Sequence, residues 1–115
     1  MIARILSSIA IVCCTAPAYA HAFPQHAEPG AGAMLKASPV RVTLSFSEKL
    51  EPAFSGVAVT DSSGRSVATG AAVISGNSMV VPLRLLAPGK YRVVWHVVSV
   101  DTHRTEGAYG FAVKP

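Results

Sequence analysis

Cysteine is almost absent from this chain, and the two that occur lie where they cannot serve the folded protein. Among 115 residues only Cys13 and Cys14 carry a thiol, and both belong to the apolar stretch near the N-terminus. Disulfides form readily in exported proteins, so their absence beyond residue 20 is informative. We therefore expect packing alone to stabilise the fold, without disulfide bonds, cysteine metal ligands or thiolate catalysis.

Long hydrophobic runs and clustered charge are also lacking after residue 20. No apolar stretch there approaches the roughly 20 residues that span a bilayer, so we expect residues 21–115 not to span a membrane. Charged residues make up 14% of the sequence and aromatic residues 7%. The Lys and Arg residues are dispersed along the chain, whereas nucleic-acid-binding proteins usually group them, often among aromatic residues. This pattern predicts no nucleic-acid partner.

The first 20 residues have the features of a secretory signal peptide. Arg4 precedes an apolar run over residues 5–14, and Ala18-Tyr19-Ala20 supplies the small-x-small pattern that signal peptidase cuts. We predict a leader over residues 1–20, cleavage after Ala20, and a periplasmic mature domain over residues 21–115. Such a domain is long enough for one hydrophobic core. Cleavage would make His21 the first residue of the mature chain.

The mature sequence is dominated by alternating apolar and polar residues. Val40, Val42, Leu44 and Phe46 alternate with polar residues, which indicates a strand with one buried face. Further strands are predicted over residues 56–60, 65–73, 78–83, 90–98 and 107–113, after a short edge strand within residues 21–39. Turns rich in Gly, Pro and Asp separate them. We expect an all-β fold, an Ig-like Greek-key β-sandwich or barrel of about seven antiparallel strands, with Trp95 in its core.

Two features of the sequence suggest a metal site. A histidine at a free N-terminus can bind one metal through its α-amine and its ring Nδ1. The triplet Asp101-Thr102-His103 places a carboxylate and an imidazole two residues apart, on one side of an extended segment. Alone, the triplet is typical of a turn in which Asp caps backbone N–H groups and His is solvated. Combined with His21, it gives three nitrogens and one oxygen, a donor set that suits Cu(II).

Several motifs together resemble the CopC family of periplasmic copper-binding proteins. The motifs are Phe46-Ser47-Glu48, Phe54-Ser55-Gly56, Ala87-Pro88-Gly89-Lys90-Tyr91, the segment 95–103 from Trp95 to His103, and Thr105-Glu106-Gly107. The resemblance covers nearly the whole mature chain. It implies a Greek-key Ig-like fold and one Cu(II) per chain, bound by His21, Asp101 and His103. The family's Phe-Ser-Glu glutamate lies near the copper, and Glu48 is therefore expected to orient the amine or a bound water.

The resemblance also implies a role. It predicts a monomeric protein that sequesters copper, confers copper resistance, or delivers copper to a CopD-like inner-membrane protein or another carrier. Some family members hold Cu(I) in a methionine-rich loop, but Met34 and Met79 are isolated here, so we expect no Cu(I) site. His26 and His96 are weaker candidates as ligands.

Two other functions remain open at this point. A chelating N-terminal histidine also resembles the copper brace of polysaccharide mono-oxygenases, although a domain of this size offers little substrate surface and Asp101 would occupy a coordination position. We therefore expect no enzymatic activity. A metal-free Ig-like interaction module is the third alternative, and it requires nothing of His21.

Overall fold

The described part of the chain, residues 24–115 of a computed structural model, is a sandwich of two four-stranded sheets. One sheet has the strand order β1-β3-β6-β5 and the other β2-β8-β7-β4. The strands are β1 (His26–Glu28), β2 (Met34–Leu35), β3 (Arg41–Ser45), β4 (Gly56–Asp61), β5 (Val73–Ser75), β6 (Ser78–Pro82), β7 (Gly89–Val98) and β8 (Arg104–Val113). A single 3-10 turn, Pro52–Phe54, precedes β4.

Alternating residues of both sheets bury their apolar side chains between the sheets, as expected for a sandwich. The alternation in β7 is the clearest case: Tyr91, Val93, Trp95 and Val97 are buried, while the residues between them face outward. Trp95 joins the two sheets, because its ring meets the Phe46 ring edge to face at a centroid distance of 5.2 Å. The prediction that Trp95 lies in the core is confirmed.

The all-β sandwich is confirmed, with four differences in detail. There are eight strands in the described residues, not about seven, and β2 pairs with β8 in parallel. Residues 65–73 do not form the predicted strand, because they make only isolated bridges, Thr60 to Ser66 and Ala68 to Leu83, before β5 begins at Val73. Val40 is 67% exposed, since β3 begins at the next residue and the buried face starts at Val42.

The topology brings the ends of three strands to the same end of the sandwich. β3 ends at Ser45, β7 ends at Val98 and β8 begins at Arg104, so residues 46–50 and 99–103 are neighbours. The backbone bridge between Leu50 and Ser99 joins them directly. The antiparallel register of β1 with β3, with His26 opposite Ser45, brings the start of the described chain to this end as well. Among residues 24–115 no helix is long and apolar enough to cross a membrane.

Candidate metal centre

The turn between β7 and β8 carries the Asp101-Thr102-His103 triplet. The Ser99 N–H donates to the His103 carbonyl (2.9 Å), and the Thr102 N–H donates to the Ser99 carbonyl (2.8 Å). Thr102 has φ +73°, a left-handed conformation that is rare for a β-branched residue and is found most often at functional sites. The triplet therefore lies in a tight turn that connects the two strands, and this turn brings its side chains together.

Within this turn, Asp101 and His103 face each other. Asp101 Oδ2 lies 3.0 Å from His103 Nδ1. The other carboxylate oxygen, Oδ1, accepts from the Ser99 hydroxyl and, at 3.4 Å, from the His103 N–H. The His103 side chain is 79% exposed and that of Asp101 43%, so both groups are accessible to an ion from solvent. The Asp101 and His103 side chains converge, as their spacing predicted. The Asp101 carboxylate also accepts from a backbone N–H, as expected for an ordinary turn capped by Asp.

Glu48 completes a cluster of three side chains at this end. One ligand atom each from Glu48, Asp101 and His103 lie within 4.8 Å of one another. The segment that leads to Glu48 is fixed at Phe46, whose N–H donates to the Asn77 carbonyl (2.9 Å) and whose carbonyl accepts from Asn77 Nδ2 (2.8 Å). Glu48 thus lies beside Asp101 and His103, and its role toward an ion stays a prediction.

The two carboxyl groups perturb each other's ionisation. Hydrogen bonding to Asp101, together with desolvation and the nearby Asp101 charge, raises the pKa of Glu48 above its ordinary value. Hydrogen bonds from Ser99 and from Glu48 hold the pKa of Asp101 well below its ordinary value. Asp101 is therefore the carboxylate that stays ionised, and Glu48 is the group that takes up a proton first. A cation placed between the two carboxyl groups would offset the repulsion between their negative charges.

The donor chemistry of the cluster suits a borderline or hard divalent ion. One imidazole and two carboxylates are borderline to hard ligands, which suit Cu(II) or Zn(II) and not Cu(I). A cleft of about 210 Å³ adjoins the cluster, with Phe46, Leu50 and Val97 among its apolar lining residues. The cleft leaves room beside His103 for another ligand.

The remaining predicted residues lie elsewhere. His21 falls outside the described residues. His26 is exposed on β1, and His96 is exposed on the outer face of β7, where its Cε1 lies 2.9 Å from the position that a Cβ on Gly56 would occupy. Met79 is fully buried in the core, whereas Met34 is 66% exposed on β2. None of these four described side chains belongs to the cluster.

Sequence reasoning missed the residues that hold the cluster in place. Ser99 is buried although polar, and its hydroxyl bonds to Asp101 and also, at 3.3 Å, to the His103 carbonyl. Ser side chains in turns commonly bond to backbone groups a few residues away, as Ser99 does to the His103 carbonyl, and this signal could have identified it. Asn77 acts from a different hairpin, so no local pattern reveals its role.

Several known proteins are similar to this chain in sequence. A 42% identical relative is Protein YobA of Escherichia coli (strain K12), with 87% of this chain and 84% of the relative aligned. Copper resistance protein C of Xanthomonas campestris pv. juglandis is 34% identical over 98% of this chain and 95% of its own. Copper transport protein CutJ of Bacillus subtilis (strain 168) is 32% identical over 83% of this chain but only 18% of its own.

Two solved structures are also similar. The crystal structure of CopC from Methylosinus trichosporium OB3b has a TM-score of 0.74 and 36% identity, covering 83% of this chain and 95% of that chain. PcoC, described as a methionine-rich copper resistance protein from Escherichia coli, has a TM-score of 0.68 and 38% identity, covering 83% of this chain and all of that one. The CopC domain family matches residues 25–114. The chain therefore belongs to the CopC family.

Proposed function

We propose that this protein is an exported Cu(II)-binding protein of copper resistance or copper delivery, and that it is not an enzyme. One Cu(II) is bound per chain by the α-amine and ring of His21, by Asp101 and by His103, with Glu48 orienting the amine or a bound water. The observation that carries the proposal is the convergence of Glu48, Asp101 and His103 within 4.8 Å at one end of a CopC-family fold.

The register of β1 supports the participation of His21. His26 pairs with Ser45 and Ala27 with Leu44, so the first residue of β1 lies beside the last residue of β3, three residues before Glu48. His21 precedes Pro24 by three positions, and an extended chain spans at most about 3.5 Å per residue, roughly 10 Å in all. An N-terminal histidine within that reach of Pro24 is compatible with a site at Glu48, Asp101 and His103.

The donor set favours Cu(II) over Cu(I). Two imidazoles, an amine and a carboxylate are the nitrogen and oxygen donors that Cu(II) prefers in tetragonal geometry. Cu(I) needs several soft sulfur ligands close together, whereas Met79 is buried in the core and Met34 is exposed on the opposite sheet. The methionine-rich character that the name of PcoC records is absent from this sequence, in which only Met34 and Met79 follow residue 20.

A membrane copper protein is the partner we propose. The match to copper transport protein CutJ covers 83% of this chain but 18% of that protein, so a CopC-like segment there occurs beside a much larger remainder. We propose that this chain, acting as a monomer, delivers its ion to a separate CopD-like membrane protein or another carrier. An open cluster with exposed His103 and Asp101 suits transfer, because an incoming ligand can reach the ion without unfolding the protein.

A Cu(II) titration of the exported protein against a competing chelator tests the proposal. We expect one tight Cu(II) per chain and a tetragonal type-2 paramagnetic spectrum. His103→Ala should weaken binding by at least about a hundredfold, since the loss of supporting groups alone costs 10–100-fold. Asp101→Ala should weaken binding less, because water replaces a carboxylate more readily than a nitrogen ligand. His26→Ala, at an exposed position outside the cluster, is the matched control and should bind as the wild type does.

Several outcomes would contradict the proposal. Copper binding that is unchanged in His103→Ala would remove the described cluster from the site, whereas failure of the exported protein to bind Cu(II) would favour a metal-free interaction module. Oxidation of a polysaccharide by the copper-loaded protein and a reductant would favour the mono-oxygenase alternative. Tight retention of Cu(I) against a Cu(I) chelator would show that the two methionines had been misread.

A further inference from the structure

The basic residues, dispersed in the sequence, gather at the end of the sandwich opposite the cluster. We call the two ends the metal end, defined by Glu48, Asp101 and His103, and the basic end. Seven of the nine Lys and Arg residues in the described chain lie at the basic end, all exposed: Lys36, Arg41, Arg65, Arg84, Lys90, Arg92 and Lys114. Two acidic side chains lie nearest to this end. Asp61 accepts hydrogen bonds from the Ser63 and Arg65 N–H groups and lies 3.9 Å from Arg84, and Glu28 pairs with Thr43 midway along β3.

The metal end has the opposite charge balance. Among the described residues it carries Lys49 and Arg104 against four acids, namely Glu48, Glu51, Asp101 and Glu106. The 10-residue strand β7 connects the two ends, and at about 3.3 Å per residue they lie roughly 30 Å apart. This exceeds the Debye length of about 8 Å at physiological ionic strength, so the two ends act as separate electrostatic surfaces.

Large apolar side chains are exposed among the basic residues. Leu85 is 88% exposed and Val40 67% exposed. Their loops are joined, because the Leu83 N–H donates to the Val40 carbonyl (3.0 Å) and the Leu86 N–H donates to the Ser38 hydroxyl (2.7 Å). Arg84 precedes Leu85 in its loop, and Lys90 follows that loop as the second residue of β7. The basic end thus combines apolar side chains at a loop tip with cationic residues around them.

From this surface we infer that the protein docks through its basic end onto a bilayer rich in anionic phospholipid. Basic residues near such a surface are attracted to it, and an exposed leucine gains by entering the boundary between headgroups and acyl chains. An acidic protein would match the charge but would leave the solvent-facing Leu85 unexplained unless it supplied an apolar pocket. A bilayer accommodates both features at once.

Docking in this way orients the molecule. With the basic end on the lipid, the metal end points away from the bilayer and the exposed His103 faces the aqueous phase. The chain would be concentrated at the membrane surface while its cluster remained accessible. The inference depends on charge and exposed apolar groups alone, and it holds or fails independently of copper binding.

Sedimentation with vesicles tests the docking. The exported protein should bind vesicles of equal parts phosphatidylglycerol and phosphatidylcholine, should bind pure phosphatidylcholine weakly, and should be released by 0.5 M NaCl. The double variant Lys90→Glu/Arg92→Glu should bind at least tenfold more weakly, since each cation near the surface contributes about fivefold. Leu85→Ser should also reduce binding.

The matched control reverses the same number of charges at the metal end. Lys49→Glu/Arg104→Glu has the same net charge as the test variant and should retain vesicle binding within about threefold, because its sites lie beyond several Debye lengths from the lipid. Equal loss in both variants, or no binding to anionic vesicles, would overturn the inference. Binding to polyglutamate without binding to vesicles would indicate that the partner of the basic end is an acidic macromolecule and not a bilayer. Thermal melts of each variant would establish that it is folded.

Fluorescent labels test the orientation. Because the mature chain lacks cysteine, Leu85→Cys and Val100→Cys provide single attachment sites at the basic end and the metal end, and both positions are exposed. An environment-sensitive dye should shift to the blue on anionic vesicles when attached at position 85 and should not shift at position 100. The reverse pattern would contradict the proposed orientation.

Discussion

Single residues that bind no metal determine the geometry of the candidate metal centre. Ser99, buried between the sheets, fixes the carboxylate of Asp101 and the backbone of His103 through one hydroxyl group. Thr102 accepts a left-handed conformation, which turns the chain so that its two neighbours converge. Preorganisation of this kind lowers the cost of ordering ligands when an ion binds.

Replacement of Ser99 by alanine tests this support. Ser99→Ala removes the leading cause of the lowered Asp101 pKa, so that pKa should rise toward its ordinary value of 3.8. Since the pKa is lowered in the folded state, ionised Asp101 stabilises the wild type above about pH 4, and this contribution disappears as the pH falls below that value. The variant should lose most of this pH dependence. NMR titration of the Asp101 carboxyl carbon measures the shift.

The same substitution should weaken Cu(II) binding by about 10–100-fold, as the loss of groups that orient ligands usually does. Ser62→Ala, in the exposed turn at the basic end, is the matched control and should change neither property. An unaltered Asp101 pKa in Ser99→Ala would show that the Ser99 hydroxyl does not hold the carboxylate.

At the scale of elements, the sequence predicted strands well where alternation was strong. The faces of β3 and β7 were predicted almost residue by residue, because each buries every second side chain. The prediction was wrong for residues 65–73, which make only isolated bridges to β4 and to the segment after β6. Strand β2 was too short and too rich in neighbouring glycine to show a period. The Asp101 and His103 pair was predicted from spacing, but the turn that produces it depends on hydrogen bonds that spacing does not encode.

The register between β7 and β8 gives a prediction about Gly107. Gly107 lies opposite Trp95, and a Cβ at this position would come within 2.5 Å of Trp95 Cζ2. Gly107→Ala must therefore displace the ring that joins the two sheets, and overpacking of this kind lowers the free energy of unfolding by about 1–3 kcal/mol. Chemical denaturation measures the change.

The control for this variant is Gly70→Ala, whose added Cβ would lie at an ordinary van der Waals distance, 3.7 Å, from Pro82 Cγ. It should change the free energy of unfolding by less than about 1 kcal/mol. Equal effects of the two substitutions would mean that the Trp95 ring is free to move.

At the scale of the whole molecule, the fold separates groups of charged residues that are interspersed along the sequence. Carboxylates and histidine meet at the metal end, whereas most basic residues meet at the basic end, because antiparallel strands return every second connection to the same end. Dispersed Lys and Arg residues in the sequence therefore predicted no patch, although the folded protein has one. This asymmetry could not be inferred without the strand order.

Copper should stabilise the whole fold, since the proposed ligands come from both ends of the sequence and the unfolded chain cannot preassemble them. At free Cu(II) about a thousandfold above the dissociation constant, binding to the folded state alone contributes about 4 kcal/mol. For a domain of this size the melting temperature should rise by roughly 15–30 °C. Affinity of the unfolded chain for copper would reduce the shift. His103→Ala should show little of it, and a wild-type melting temperature unmoved by equimolar Cu(II) would contradict the proposed site.

The central claim is that a free His21 amine joins His103 and Asp101 around one Cu(II). The most direct test is a chelator competition on a variant with one extra glycine before His21, which keeps every side chain but moves the amine away. Binding should weaken by at least about a hundredfold, and the paramagnetic spectrum should report the loss of one nitrogen ligand. If the extended protein binds Cu(II) as tightly as the exported one, and with the same spectrum, the N-terminal amine is not a ligand and the proposed site is wrong.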